Sequence, residues 1–168
     1  MDDARSLLMH QLAAIAYRLQ KALRDAPEGF AAYRVIPGVR TPMELVRHMA
    51  SVLGYAGTLF RGGTYHAEAL PTFAEEIARL HSNLEFLREH FELDPFAQVT
   101  PKQLLQGPLA DAMTHVGQLA MLRRMFGSPV PPENFVYADV KAGNLGPHQP
   151  DPVAPDAEWN VPEHDLPG

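Results

Sequence analysis

Three side chains of this sequence combine the types and the spacing of metal ligands. His48 lies three residues after Leu45 and four before Val52, on the apolar stripe of an expected helix, so its imidazole should face the core. Asp111 and His115 are four residues apart, hence stacked on one face of another helix, with Gln118 and Leu122 continuing the row. Leu109, Ala112, Val116 and Leu119 flank that row and put Asp111 and His115 near the core edge. A histidine from one helix with a carboxylate and a histidine from another makes a donor set that suits zinc, nickel, iron or manganese. Three protein ligands also leave positions open for water or substrate. The same placement suits histidines hydrogen-bonded in a core or at its rim. Asp111 equally suits the first turn of a helix, where the macrodipole favours a carboxylate. Tyr55, two turns after His48, reads as a proton donor at the site or as a core aromatic with its hydroxyl at the rim.

Other chemistries have less to stand on. With no cysteine among 168 residues, disulfides, thiolate zinc sites, iron–sulfur clusters and cysteine nucleophiles are excluded. The Glu-x-x-His spacing of di-iron bundles and the His-Glu-x-x-His zinc motif do not occur. Glycine-rich phosphate loops and serine elbows are absent too. His81 and Glu85 share the four-residue spacing, but they point off the Leu80-Leu84-Leu87 stripe and read as a solvated pair. His10 lies near an apolar face and could line a cavity; His66, His90, His148 and His164 have no partner at ligand spacing.

Four amphipathic helices would have to position the three candidates. The first runs from about Asp3 to Asp25, with Leu8, Leu12, Ile15, Leu19 and Leu23 on one stripe. The second opens at Thr41-Pro42-Met43-Glu44, a capping box with proline at the first helical position, and ends at Gly62-Gly63. The third opens with a similar box, Thr72-Phe73-Ala74-Glu75, and carries a stripe from Phe73 to Phe91. A short piece starts at Thr100, the chain breaks at Gly107-Pro108, and a fourth helix runs to Phe126 with Gly127 as its stop. No alternating strand pattern competes, so the expected fold is all-α. Helices of roughly 20 residues, about 30 Å long, suffice to close one four-helix bundle. The link from Ala26 to Arg40 is long enough to cross the end of such a bundle.

Charge separates this helical body from the C-terminal segment. The chain holds 14 basic and 20 acidic side chains, a net of −6. Residues 1–127 balance at 13 of each, whereas residues 128–168 hold seven acidic and one basic side chain and 9 of the 16 prolines. Proline at that density prevents regular helix, so 128–168 is expected to be an acidic, irregular tail. Phe135, Val136, Tyr137, Val140, Leu145 and Trp159 are too apolar for a solvated linker, which predicts packing on the body or on a second subunit. A negative chain without a basic patch argues against nucleic-acid binding and against a polybasic membrane anchor. No apolar run approaches the ~18 residues of a membrane span, and Met1-Asp2-Asp3 is the wrong charge for a signal peptide, so a cytoplasmic location is expected.

The segments Leu45-Val46-Arg47-His48-Met49, after a Thr-Pro helix start, and Asp111-Ala112-Met113-Thr114-His115-Val116-Gly117-Gln118-Leu119 carry a family resemblance. Over residues 1 to about 130 the chain resembles the DinB/YfiT-like family of metal-dependent enzymes, and Pro132-Glu133-Asn134-Phe135 is similar to members with an extended C-terminus. The resemblance implies a bundle with a long crossover and one divalent metal held between the second and fourth helices. It also implies a hydrolase or a thiol S-transferase acting on a small molecule, the thiol being of low molecular weight, such as bacillithiol or mycothiol. Family members are often homodimers. The family's last-helix motif is of the type His-x-x-x-His-x-Gly-Gln-Leu, and here Asp111 replaces the first histidine. An aspartate keeps the geometry but lowers the site charge and shortens the reach, which implies a site weaker for zinc, more tolerant of manganese or iron, or vacant. By the same resemblance Gln118 would orient a ligand or a metal-bound water; otherwise it is a helix-surface amide. The rival expectation is a non-catalytic helical binding or dimerisation module with a vestigial site, whose tail straps a partner.

Overall fold

The computed structural model describes residues 2–156. Its helices begin where side chains can satisfy the first free N–H groups. Helix α1 (Asp3–Leu23) starts on Asp2, whose carboxylate accepts from the Arg5 N–H. Helices α2 (Pro42–Arg61) and α3 (Phe73–Leu93) start on Thr41 and Thr72. In both, the threonine hydroxyl accepts from a glutamate N–H and the side chain of that glutamate, Glu44 or Glu75, accepts from the threonine N–H. Thr100 and Gln103 repeat the arrangement at a one-turn helix, α4 (Pro101–Leu104).

The break expected at Gly107-Pro108 is a kink, not a gap. Helix α4 continues through a wide π-helical turn, Leu105–Leu109, into α5 (Ala110–Met125), with Gly107 at φ −95°, ψ −105°. Pro108 has no N–H for the helical ladder, so the axis must bend here. The kink sets Asp111 in the first turn of α5.

The described residues hold four long helices and no strand. Both α1 and α2 pack on α3 and on α5, which closes a helical bundle around one core. Leu12, Ile15, Leu19, Leu45, Met49, Leu53, Leu80, Leu84 and Leu87 are fully buried there. Each such side chain contributes about 1.5–3 kcal/mol on burial. At two positions on α2 only glycine fits: a Cβ on Gly54 would stand 2.3 Å from the Tyr65 ring, and one on Gly57 would stand 2.5 Å from Phe86. No helix of the described residues is long and apolar enough to cross a membrane.

From Ser128 to Asp156 the chain forms no helix and lies along α1 and α3. It doubles back on itself, with Asn134 N–H donating to Ala154 O at 2.9 Å and Asp156 N–H to Pro132 O at 3.1 Å. Glu133 enters the body with a side chain that is 0% exposed, accepting from Tyr17 Oη at 2.7 Å and from Lys21 Nζ at 2.8 Å. Phe135 packs edge-on against Tyr17 and lies under the Arg18 guanidinium, 3.8 Å from its centre. Arg24 reaches Asp151 Oδ1 at 2.7 Å and Gln149 O at 2.8 Å. Burial and the neighbouring Glu133 push the Tyr17 hydroxyl well above the ordinary phenol range. Trp159 and His164 lie outside the described residues.

Two histidines differ from their sequence reading. His81 is not part of a solvated pair: it is 5% exposed, donates from Nδ1 to Leu145 O at 2.6 Å, and accepts at Nε2 from the Gln20 amide at 3.2 Å. The segment around Leu145 covers a face of α3 that helical periodicity alone would leave in water. His90 does have a partner at four-residue spacing, Asp94, which binds its Nδ1, and its ring stacks on Phe60 at 5.3 Å.

Candidate metal centre

His48 comes from the second turn of α2, Asp111 and His115 from the first two turns of α5, and the contact between these helices brings the three together. One possible ligand atom from each lies within 4.8 Å of the others. The two imidazole rings are 4.8 Å apart, tilted by 57°. His48 is half-buried; the His115 side chain is 9% exposed and that of Asp111 46%, so the cluster opens to solvent on the aspartate side.

The backbone prepares His115 for a cation. Its Nδ1 lies 2.7 Å from the carbonyl oxygen of Asp111, one turn back, and must donate there. In the neutral ring that bond selects the tautomer whose lone pair is on Nε2, the orientation that a metal-ligating histidine needs. Asp111 Oδ1 stands 3.3 Å from the same Nδ1. Burial pulls the His48 pKa below its usual value; Arg40 and His115 add to the effect, and Asp111 opposes it. At neutral pH His48 is therefore an unprotonated donor.

The donor set fits a divalent cation. Ligands of a tetrahedral zinc, at bonds of about 2.0–2.1 Å, stand about 3.4 Å from one another. A cluster spread over 4.8 Å is wider than that and would close by small side-chain rotations. The half-exposed Asp111, on a flexible two-torsion side chain, is free to make the largest of them.

Two shallow depressions adjoin the cluster, and a third shares Arg40 with one of them. One of about 690 Å³ is lined by Ser51, Tyr55 and Asp111 together with the Gly107-Pro108 kink. A second, of about 520 Å³, contains His48, Ser51, His66 and three arginines. A third, of about 530 Å³, holds Arg40, Leu45 and Gln118. Tyr55 is thus no core aromatic: it is 56% exposed and shares its cavity with Asp111. Gln118 is exposed and faces the third depression, beside Arg40 and apart from the residues that share a cavity with Asp111. His10 is exposed on α1 and lines none of these three. Sequence reasoning passed over Arg40 and Ser51 and set His66 aside for want of a partner at ligand spacing, because each becomes part of the site only through the fold. Arg40 carried one usable signal, its position directly before the cap of the helix that bears His48.

A scan of the sequence against protein-family models found no match, nor did a search of curated proteins or a search of solved structures. The described residues form a helical bundle with a His/Asp/His group between two of its helices that could hold a metal ion.

Proposed function

We propose that the chain is a DinB-like metal-dependent enzyme. On this reading it binds one divalent cation through His48, Asp111 and His115 and acts on a small molecule as a hydrolase or thiol-dependent transferase. The observation that carries the proposal is the convergence of these three side chains from two helices, with the neutral His115 ring held in the ligating tautomer. The packing supports a DinB-like crossover as well. Helices α1 and α2 each lie against α3 and α5, so the link between them joins diagonal members of the bundle.

A bound cation would supply Lewis-acid polarisation of a substrate carbonyl, or a lowered pKa for a coordinated water or thiol. The residues of the chain do the rest. His48 and His115 would present ring nitrogens, and Asp111 a carboxylate that offsets part of the cation's charge. Three protein donors leave positions on the solvent side, where the cavity of Tyr55 and Ser51 gives a substrate room to approach. Tyr55, which lines that cavity, would donate a proton to a departing group.

Metal content of protein purified without a histidine tag tests the assignment. We expect close to one divalent ion per chain, and loss of that ion in His48→Ala. Equal occupancy in the two proteins would sink the proposal.

A further inference from the structure

Three arginines, Arg34, Arg40 and Arg47, line the depression that contains His48. Two of them are engaged. Arg34 donates through Nη2 to both carboxylate oxygens of Glu44 at 2.9 Å, and Arg47 donates from Nε to Glu76 at 2.7 Å. Arg40 has no hydrogen bond, ion pair or ring contact among the described residues. Among the described residues Glu44 is the one acid lining this depression, and Arg34 and the Thr41 cap already hold it.

An unpaired arginine on a surface is ordinary, but its place here is not. Arg40 borders both the depression of His48 and that of Gln118, so it stands between them at the edge of the candidate centre. A fixed positive charge so close to a cation site opposes cation binding, unless an anion sits between the two and stabilises both. A guanidinium has the donor fork for this, able to hold two oxygens of a carboxylate or a phosphate at once.

We propose that Arg40 anchors an oxyanion of the substrate, a carboxylate or a phosphate, in the depression it shares with His48. The rest of the substrate is then directed toward His48, Asp111 and His115. The direction toward these three side chains, and the charge argument for an anion between them and Arg40, rest on the metal-centre reading above; the unpartnered donor fork of Arg40 in this depression does not.

Titration calorimetry with inorganic phosphate and with succinate, on metal-free and on Mn²⁺-loaded protein, tests the anchor without any assay of activity. Wild type is expected to bind at least one of the two anions saturably, and more tightly when Mn²⁺ is present. Arg40→Gln should weaken that binding at least tenfold in both forms. Arg124→Gln, which removes the same charge from an exposed site at the end of α5, should stay within twofold of wild type. Preference for phosphate over succinate, or the reverse, identifies the oxyanion. Unchanged binding in Arg40→Gln, or an equal loss in Arg124→Gln, would overturn the anchor. Equilibrium dialysis of Mn²⁺ separates the two readings. Arg40-dependent anion binding by a protein that takes up no metal leaves the anchor standing and the metal centre refuted, whereas metal uptake with Arg40-independent anion binding does the reverse.

Discussion

Glu133 and Asp111 are carboxylates held on opposite sides of one bundle, the first against α1 beside the α3-covering tail, the second on α5 facing α2. The Glu133 side chain is wholly buried, with both oxygens occupied by Tyr17 and Lys21. The Asp111 side chain is 46% exposed, and its nearest polar neighbours, His48 and His115, converge on it without a strong donor to either oxygen. Burying a carboxylate is tolerable only when partners compensate it, so a fully satisfied cluster such as Glu133's serves to hold the structure. A polar cluster whose acceptor atoms converge without a strong donor among them makes no such contribution, and its geometry is of use to a ligand. Glu76 sides with Glu133. Its burial favours the neutral acid, but the Leu70 N–H and the guanidiniums of Arg47 and Arg79 outweigh that and hold its carboxyl below the usual range.

The contrast can be broken most directly at Glu133. Glu133→Ala leaves Lys21 and the Tyr17 hydroxyl without their partner, and we expect a loss of about 3–5 kcal/mol in unfolding free energy by urea titration. A loss below about 1 kcal/mol would place Glu133 with Asp111 and erase the distinction. Asp111→Asn should do the opposite: at least a tenfold loss of metal affinity by equilibrium dialysis, with metal-free stability within about 0.5 kcal/mol of wild type. A marked destabilisation would make Asp111 structural.

Gly117 sharpens the comparison from the backbone side. It lies inside α5 between His115 and Gln118, and a Cβ there would meet nothing within 4 Å. Gly117→Ala should therefore raise stability by about 0.5–1 kcal/mol through helix propensity, with metal affinity unchanged. A loss of metal affinity would show that the open face is more tightly packed than this.

The smallest effect is expected from pH. Burial lowers the pKa of both His48 and His81; at His81 the Leu145 carbonyl and Glu85 act in the other direction without prevailing. The unfolded chain, with histidine near 6.5, therefore takes up protons before the folded one does. Stability is full above about pH 6.5 and declines as pH falls below it, and urea midpoints between pH 7.5 and 5.5 would follow the decline. His81→Asn, which removes the buried imidazole, should flatten the profile more than His48→Ala; an equal or smaller flattening would contradict the stronger burial of His81.

Much of the body was legible in the sequence because its signals are local. A threonine three residues before a glutamate or glutamine caps a helix wherever the pair occurs, and Thr41, Thr72 and Thr100 each do so. Periodicity placed His48, Asp111 and His115 on inward-leaning rows, and the fold brought them to one place. Periodicity failed at His81 and Tyr55 for a shared reason. Whether a helix face is wet depends on what other chain lies over it, and the partner of His81 is 64 residues away in sequence. Gly107-Pro108 announced an interruption, but the sequence could not show whether the helix would end or bend there.

The sequence by itself thus determined an all-helical body, the points where its helices start, and the two rows from which ligands could come, since all of these depend on hydrogen bonds and side-chain spacings within a few residues. The tertiary structure alone decided that those rows meet, that Glu133 is sealed while Asp111 stays open, and that Arg40 stands without a partner beside His48. Those outcomes depend on which surfaces cover one another, and burial, and with it the cost of an unsatisfied charge, exists only once the chain is folded.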